Sequence, residues 1–225
     1  MSDVAVADGA SRTRHADRSQ ATRDAILLAA EQLLAEGGLD NVSHRQISAA
    51  AGQGNVAAVN YHFGTTTDLV RAIVAKHALA IERLRRPRLE SVRGSTDIAA
   101  WLSCLVHPIA EHLETLGSPT WWARFSGQLL TDPQYRCELM DGVMGLGSLQ
   151  EGVQGLMACL PDVPDHVLAE RRDMTRLLAV HVFAEREAAL ARGLPTARDD
   201  WRHCADGLVD AAVGLWLAPV RGGRR

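Results

Sequence analysis

Nine histidines, four cysteines and twenty-seven carboxylates make metal ligation and acid–base catalysis the first chemistries to weigh, and spacing argues against both. His107 and His112 are five residues apart, which on a helix turns them about 140° from one another, so they share no face. His203 and Cys204 are neighbours and point differently. No H-E-x-x-H and no C-x-x-C occurs. Cys104, Cys137, Cys159 and Cys204 are far apart, outside any zinc spacing, and read as buried free thiols. A G-x-S-x-G elbow is missing, and Gly145-Leu146-Gly147-Ser148-Leu149-Gln150 lacks the third glycine of a dinucleotide loop and follows no strand. The expectation is no enzyme, no metal and no cofactor.

A different chemistry is concentrated between Ser43 and Thr67. Gln53, Asn55 and Asn60 carry amides that can pair with adenine edges, and the methyls of Ala57 and Ala58 can meet thymine methyls. Arg45 is the one cation placed to reach a base or phosphate. Ser43, Tyr61, His62, Thr65, Thr66 and Thr67 offer groups suited to phosphate contacts that set register, and His44 stands with them.

These residues need a frame, and the local sequence supplies one. Ser43 is a helix N-cap with Gln46 three residues on, a capping box, and Val42 and Ile47 stand at the positions of a hydrophobic staple. Gly52-Gln53-Gly54 breaks that helix near Ala51. Asn55 caps a second helix whose Val56, Val59 and Phe63, at i, i+3 and i+7, form a buried stripe. That leaves Ala57, Ala58, Asn60 and Tyr61 outward. Phe63-Gly64 ends the helix, and another starts near Asp68. The pattern is a helix-turn-helix whose slim second helix fits a major groove.

On these residues the chain resembles the TetR/AcrR family of transcriptional regulators. The likeness runs through Thr22 to Asp40 (TRDAILLAAEQLLAEGGLD), Arg45 to Gly52 (RQISAAAG) and Asn60 to Val70 (NYHFGTTTDLV). Pro119 to Phe125 adds a looser match. The turn Gly52-Gln53-Gly54-Asn55 is longer than the commonest family form. Thr66 stands where the family usually has a lysine, which removes a phosphate contact. The resemblance implies a homodimer reading an inverted-repeat operator, a helical body that senses a small molecule, and repression released by that molecule. It implies dimerisation through the last two helices.

The whole chain agrees with an all-α reading. Hydrophobic residues make up 47% of 225 residues, enough for a sizeable core. Net charge is −3, so this is no polybasic coat. Residues 11–86 carry ten Lys/Arg against seven Asp/Glu, and residues 87–225 fourteen against eighteen, a mildly basic front before an acidic rear. Residues 1–17 read as a disordered arm in which Arg12 and Arg14, with Arg18 just beyond, could reach phosphates. Residues 18–86 read as the DNA-binding domain, its last helix ended by Pro87, and residues 87–225 as a helical ligand-binding and dimerisation domain. The Gly-rich stretch from Pro133 to Leu160 is expected to be bent or interrupted. No alternating strand pattern appears.

In the body, Trp101, His107, Trp121, Trp122, Phe125 and His181 are the candidate cavity liners, since such sites are mostly apolar with a few polar groups. Leu177, Leu178 and His181 on one helix, and Trp201, Ala205, Leu208, Ala212 and Leu215 on the last, are the candidate dimer face. Met1 to Ala10 lacks a basic start and an apolar run, and Ala211 to Val220 is half a membrane span. This predicts a cytoplasmic protein with no membrane partner. The alternative function is an all-helical small-molecule-binding protein whose helix-turn-helix has lost DNA.

Overall fold

The computed structural model describes residues 3–55, 57–160 and 163–220, with side chains from Ala16 onward, Met144 excepted. Ten helices follow one another among the described residues: α1 (Asp3–Gly37), α2 (His44–Ala50), α3 (Ala57–Phe63), α4 (Thr66–Val92), α5 (Ile98–Leu116), α6 (Trp122–Thr131), α7 (Arg136–Met144), α8 (Gly147–Ala158), α9 (Asp165–Ala191) and α10 (Trp201–Leu217). They form two compact units, Met1–Ile73 and Val74–Arg225.

The first unit closes over a small aliphatic core. Ile26, Ala30 and Leu34 recur at helical spacing on α1, and with Ile47 of α2, Val59 of α3, and Leu69, Val70 and Ile73 of α4 they are withdrawn from solvent entirely. Arg23 fastens α1 to α3 by donating to the His62 carbonyl at 3.1 Å while its guanidinium lies 4.3 Å from the Phe63 ring centroid. The stretch expected as an arm is helical from Asp3. Val56 and the side chains of Arg12 and Arg14 lie outside the described residues.

One expectation about α4 is corrected. Pro87 does not stop the helix, which runs on to Val92. Proline removes one intrahelical hydrogen bond, and the turn beyond it is held by other means. Leu89 is buried, and Arg88 is bonded to Glu111 of α5. The two compact units divide within this helix, at Ile73 and Val74.

In the second unit α5 packs on α10 and α8, and α6 on α9 and α7. The core centres on Leu102, Leu113, Phe125, Leu129, Phe183 and Trp216. Asp97 caps α5 through the Ala99 N–H at 2.9 Å. The Gly-rich stretch is interrupted as its composition predicts: α7 ends at Met144 with Gly145 as its C-cap, and α8 begins at Gly147. Glycine also permits close packing here, because a Cβ at Gly155 would overlap the benzo ring of Trp101.

Buried charge ties the helix ends. Arg171 caps the end of α10 by donating to the carbonyls of Trp216, at 2.6 Å, and Ala218. Arg186 holds the segment before α10 through the Arg198 carbonyl at 2.6 Å and the Asp199 carbonyl at 3.1 Å. Glu187 sits at the start of α6, accepting from the N–H groups of Ala123 and Arg124 and from Arg124 Nε. Burial pushes its carboxyl above the ordinary value, against the pull of those donors.

Candidate nucleic-acid interface and ligand cavity

The helix-turn-helix is built from its caps inward. Ser43 is extended and closes a capping box with Gln46. Its N–H donates to Gln46 Oε1 at 2.9 Å, and its Oγ accepts from the Gln46 N–H at 3.4 Å. At the other end of α2 the Gln53 N–H reaches the Ser48 carbonyl at 2.9 Å, and the Gly52 N–H the Ala49 carbonyl at 3.1 Å. This is a Schellman motif, and it needs Gly52 at φ +68°. The Asn55 side chain then caps α3, accepting from the Ala57 N–H at 2.8 Å. Thr65 caps α4 reciprocally with Asp68: Thr65 Oγ1 donates to Asp68 Oδ2 at 2.6 Å and accepts from the Asp68 N–H at 3.1 Å. Those bonds hold the Asp68 carboxyl below its ordinary value.

His44 joins three helices in a way the sequence did not announce. Its Nδ1 lies 2.6 Å from Asn60 Oδ1 on α3, and its Nε2 lies 3.1 Å from Thr66 Oγ1 at the start of α4. In the neutral ring, Nδ1–H donates to the amide oxygen and Nε2 accepts from the hydroxyl. A histidine sixteen residues before an asparagine carries no periodic signal, so only the folded chain reveals the bridge.

The expected DNA-facing residues therefore divide into three groups. Ser43, His44, Gln53, Asn55, Asn60, Thr65 and Thr66 each spend a polar atom inside the head, with Gln53 folded back onto the Ala51 carbonyl at 3.1 Å. Thr67, Ala58 and His62 are half-buried. Arg45 and Ala57 are exposed, and Tyr61 is 83% exposed, unusual for an aromatic side chain. Asn55 and Asn60 keep their amide N–H groups as donors. Besides Tyr61, the open groups are the Arg45 guanidinium, two amides and a methyl, a set suited to an acceptor-rich groove floor and phosphate walls.

In the second unit a cavity of about 500 Å³ opens among α4 to α10, within the range of small-molecule sites. Its walls are mostly apolar: Ile81, Leu105, Ile109, Leu113, Leu139, Met140, Val153, Leu156, Met157, Val180 and Phe183. Arg85, Arg172, Asp173, Arg176 and Trp216 add polar atoms. Of the six expected liners, Trp122 borders the cavity. Phe125 packs behind it in the core, with ring centroids 6.1 Å apart. Trp101 is turned toward α8 and donates to the Ser95 carbonyl at 3.0 Å. Trp121 precedes α6, and His181 lies half-buried beside Gly127. In sequence a charged side chain on a helix reads as solvated surface, so nothing signals that Arg85, Arg172 and Arg176 border a cavity.

His107 belongs to a line of its own, Ser103 Oγ to His107 Nδ1 at 2.9 Å and His107 Nε2 to Asp206 Oδ1 at 2.9 Å. The residue types match a nucleophile relay. Ser103, however, sits inside α5, where its neighbours' backbone N–H groups are spent on the helix and none can hold an oxyanion. The line works as a clamp of α10 on α5. Among the described residues no group of three or more His, Cys, Asp or Glu could hold a metal. Burial raises the Cys104 thiol to about 11, leaving it unreactive.

The candidate dimer face is also redistributed. Trp201, Ala205, Leu208 and Ala212 are buried within their own chain, because α10 turns its small-residue face to α5. That corrects their assignment as partner contacts. Leu215 is half-buried and His181 likewise. Leu177 and Leu178 are exposed on α9, together with Met174, and Ala211, Gly214 and Leu217 are exposed on α10. None of the described helices is long and apolar enough to cross a membrane.

A capped helix, a glycine turn and a second short helix ahead of a helical body define a helix-turn-helix protein of the kind that reads DNA. This head is similar to one family in particular: residues 26–73 match the model of bacterial regulatory proteins, tetR family. Beyond the head, the fold as a whole is similar to solved structures. A chain from Shewanella sp. PV-4 described as a tetR-family transcription regulator superimposes with a TM-score of 0.55 at 18% identity, covering 87% of this chain and 96% of that one. A HlyIIR mutant protein carrying a substituted linker gives 0.54 at 17%, covering 87% and 97%. At such identities the likeness is one of fold. No curated protein shows a significant match.

Proposed function

We propose that the protein is a homodimeric, sequence-specific DNA-binding transcription regulator, a repressor released when a small molecule fills the cavity of its helical body. The observation that carries the reading is the α2–turn–α3 element, fully capped and presenting Arg45, Ala57, Asn60 and Tyr61 outward. The match of residues 26–73 to the tetR family supports it. Two heads related by a two-fold axis read an inverted repeat, and the exposed apolar residues of α9 and α10 are the surface assigned to the pairing. Ligand and operator prefer different arrangements of the dimer, so each weakens the other's binding.

A gel-shift titration against DNA flanking the protein's own gene, run at several salt concentrations, tests the reading. A salt-dependent shift whose footprint is an inverted repeat is expected. Arg45→Ala should weaken binding and flatten the salt slope by about 0.9 per head if it neutralises a phosphate. One observation favours the other reading, a helical small-molecule-binding protein without DNA. No Arg or Lys lies on α3, and Thr66 is tied to His44. Ligand binding in the absence of any shift at low salt would establish that alternative.

A further inference from the structure

Among the residues that border the cavity, the buried polar atoms left without a partner are all donors. Arg85 Nε, Arg176 Nη1 and Trp216 Nε1 are buried and have no hydrogen-bond partner, and all three residues border the same cavity. Each is a donor and none can accept. Arg85 is 3% exposed and Trp216 1%. Arg85 reaches Ser148 Oγ only at 3.5 Å. The carboxylate nearest in charge, Glu82, is shared between Ser148 and Arg86, the latter at 3.0 Å. Asp173, which also borders the cavity, is exposed and bonded to Arg176 at 3.2 Å. Arg172 adds one more cation to the lining. A buried guanidinium with an unspent N–H, and an indole N–H in the same position, each forgo a hydrogen bond that solvent would have supplied. Ser126 and Thr175 add hydroxyls, and the remaining wall is aliphatic and aromatic.

We propose that the cavity is built for an apolar molecule bearing a single anionic head, its carboxylate-like group taken by Arg85 with the Trp216 indole N–H and its hydrocarbon body lying against Ile81, Leu113, Leu156 and Phe183. This rests on the reading of the cavity as the effector site and adds the chemical class of the effector. An anion satisfies the orphaned donors, whereas a cationic head would add charge beside Arg85 and leave those donors unpaired. The apolar body supplies most of the affinity, each buried methylene contributing about fourfold.

The test uses the full-length protein and three probes of equal chain length below their micelle concentrations: dodecanoate, dodecanol and dodecyltrimethylammonium. Binding is read by calorimetry, with tryptophan fluorescence as a second signal because Trp122 and Trp216 border the cavity. Dodecanoate should bind about tenfold or more tightly than either of the others, the worth of a charge-assisted hydrogen bond. Arg85→Gln should remove that advantage while leaving dodecanol affinity nearly unchanged. Trp216→Phe keeps the ring and deletes the donor, so it should cost dodecanoate several-fold even if the Arg85 variant folds poorly. Equal binding of all three probes, or preference for the ammonium, overturns the anionic head and leaves the cavity reading intact. Failure of every probe to bind overturns both. Tight dodecanoate binding that does not release operator DNA supports the head-group assignment and sinks the effector reading alone.

Discussion

Gly155→Ala tests the packing of α8 most directly. A Cβ at this position would overlap Cε3, Cζ3 and Cη2 of Trp101. The indole has nowhere to go: it is 5% exposed and its Nε1 is held by the Ser95 carbonyl at 3.0 Å. Inserting a methyl into such a site costs about 1–3 kcal/mol. An overlap at 2.3–2.5 Å belongs to the upper part of that range, about 2–3 kcal/mol, and alanine regains about 0.8–1.0 kcal/mol of helix propensity over glycine, so a net loss of about 1–2 kcal/mol is expected. For a chain of this size that lowers the melting temperature by about 2–8 °C. Thermal unfolding followed by circular dichroism reads it. Gly147→Ala in the same helix, with nothing within 4 Å of the new Cβ, should leave the melt unchanged or raise it slightly. Trp101→Leu removes the obstructing ring, so the double variant should be more stable than the sum of the single losses allows. A Gly155→Ala protein as stable as wild type, or strict additivity with Trp101→Leu, refutes the packing described for α8.

Further expectations follow from the head, the buried carboxylate and the outer helices. Thr66→Lys exchanges the hydroxyl bonded to His44 for a cation at the start of α4. It should steepen the salt dependence of DNA affinity by about 0.9 per head, or about 1.8 per dimer, with the base preference unchanged; an unchanged slope means residue 66 does not face the duplex. Glu187 binds its proton more tightly when folded than when unfolded, so its contribution to stability falls as pH rises from the ordinary value of 4.5 through the raised one. Glu187→Gln should flatten that limb of the urea midpoint against pH, and an unaltered limb would assign it to other groups. Leu177→Arg places charge on the exposed face of α9 and should give monomers in sedimentation. Gly214→Ala, open on α10 with nothing within 4 Å, should stabilise the isolated chain by about 0.8–1.0 kcal/mol yet weaken the dimer; a stabilised and undiminished dimer moves the interface off that face.

The frame of the head was legible because local rules act there. Ser43 with Gln46, Gly52 at a positive φ, and Asn55 before α3 are short-range signals, and each does in the structure what its type and spacing suggest. The roles of the side chains within that frame were not. His44, Asn60 and Thr66 meet only after α2, α3 and α4 have packed, and no periodicity encodes a meeting of three helices. Ala205 and Ala212 show the same limit in the body. A face of small residues signals close helix approach, and the sequence cannot say whether the neighbour is α5 or a second chain. Pro87 failed as a stop signal because one lost hydrogen bond is outweighed when the following turn buries a leucine. The cavity was least visible of all, since it consists of what side chains leave unfilled.

That unfilled space gives hydrostatic pressure a handle on the protein. Unfolding eliminates internal voids, and the volume change of unfolding, between about −20 and −100 mL/mol for most proteins, scales with them. A cavity of about 500 Å³, partly open to solvent, adds to those voids where its apolar walls stay dry, so compression should melt this body before a fully packed bundle of equal length. Occupancy would then be readable without any spectroscopic label. A molecule that fills the void leaves less volume to be gained by unfolding, and the midpoint pressure climbs with every part of the cavity it occupies.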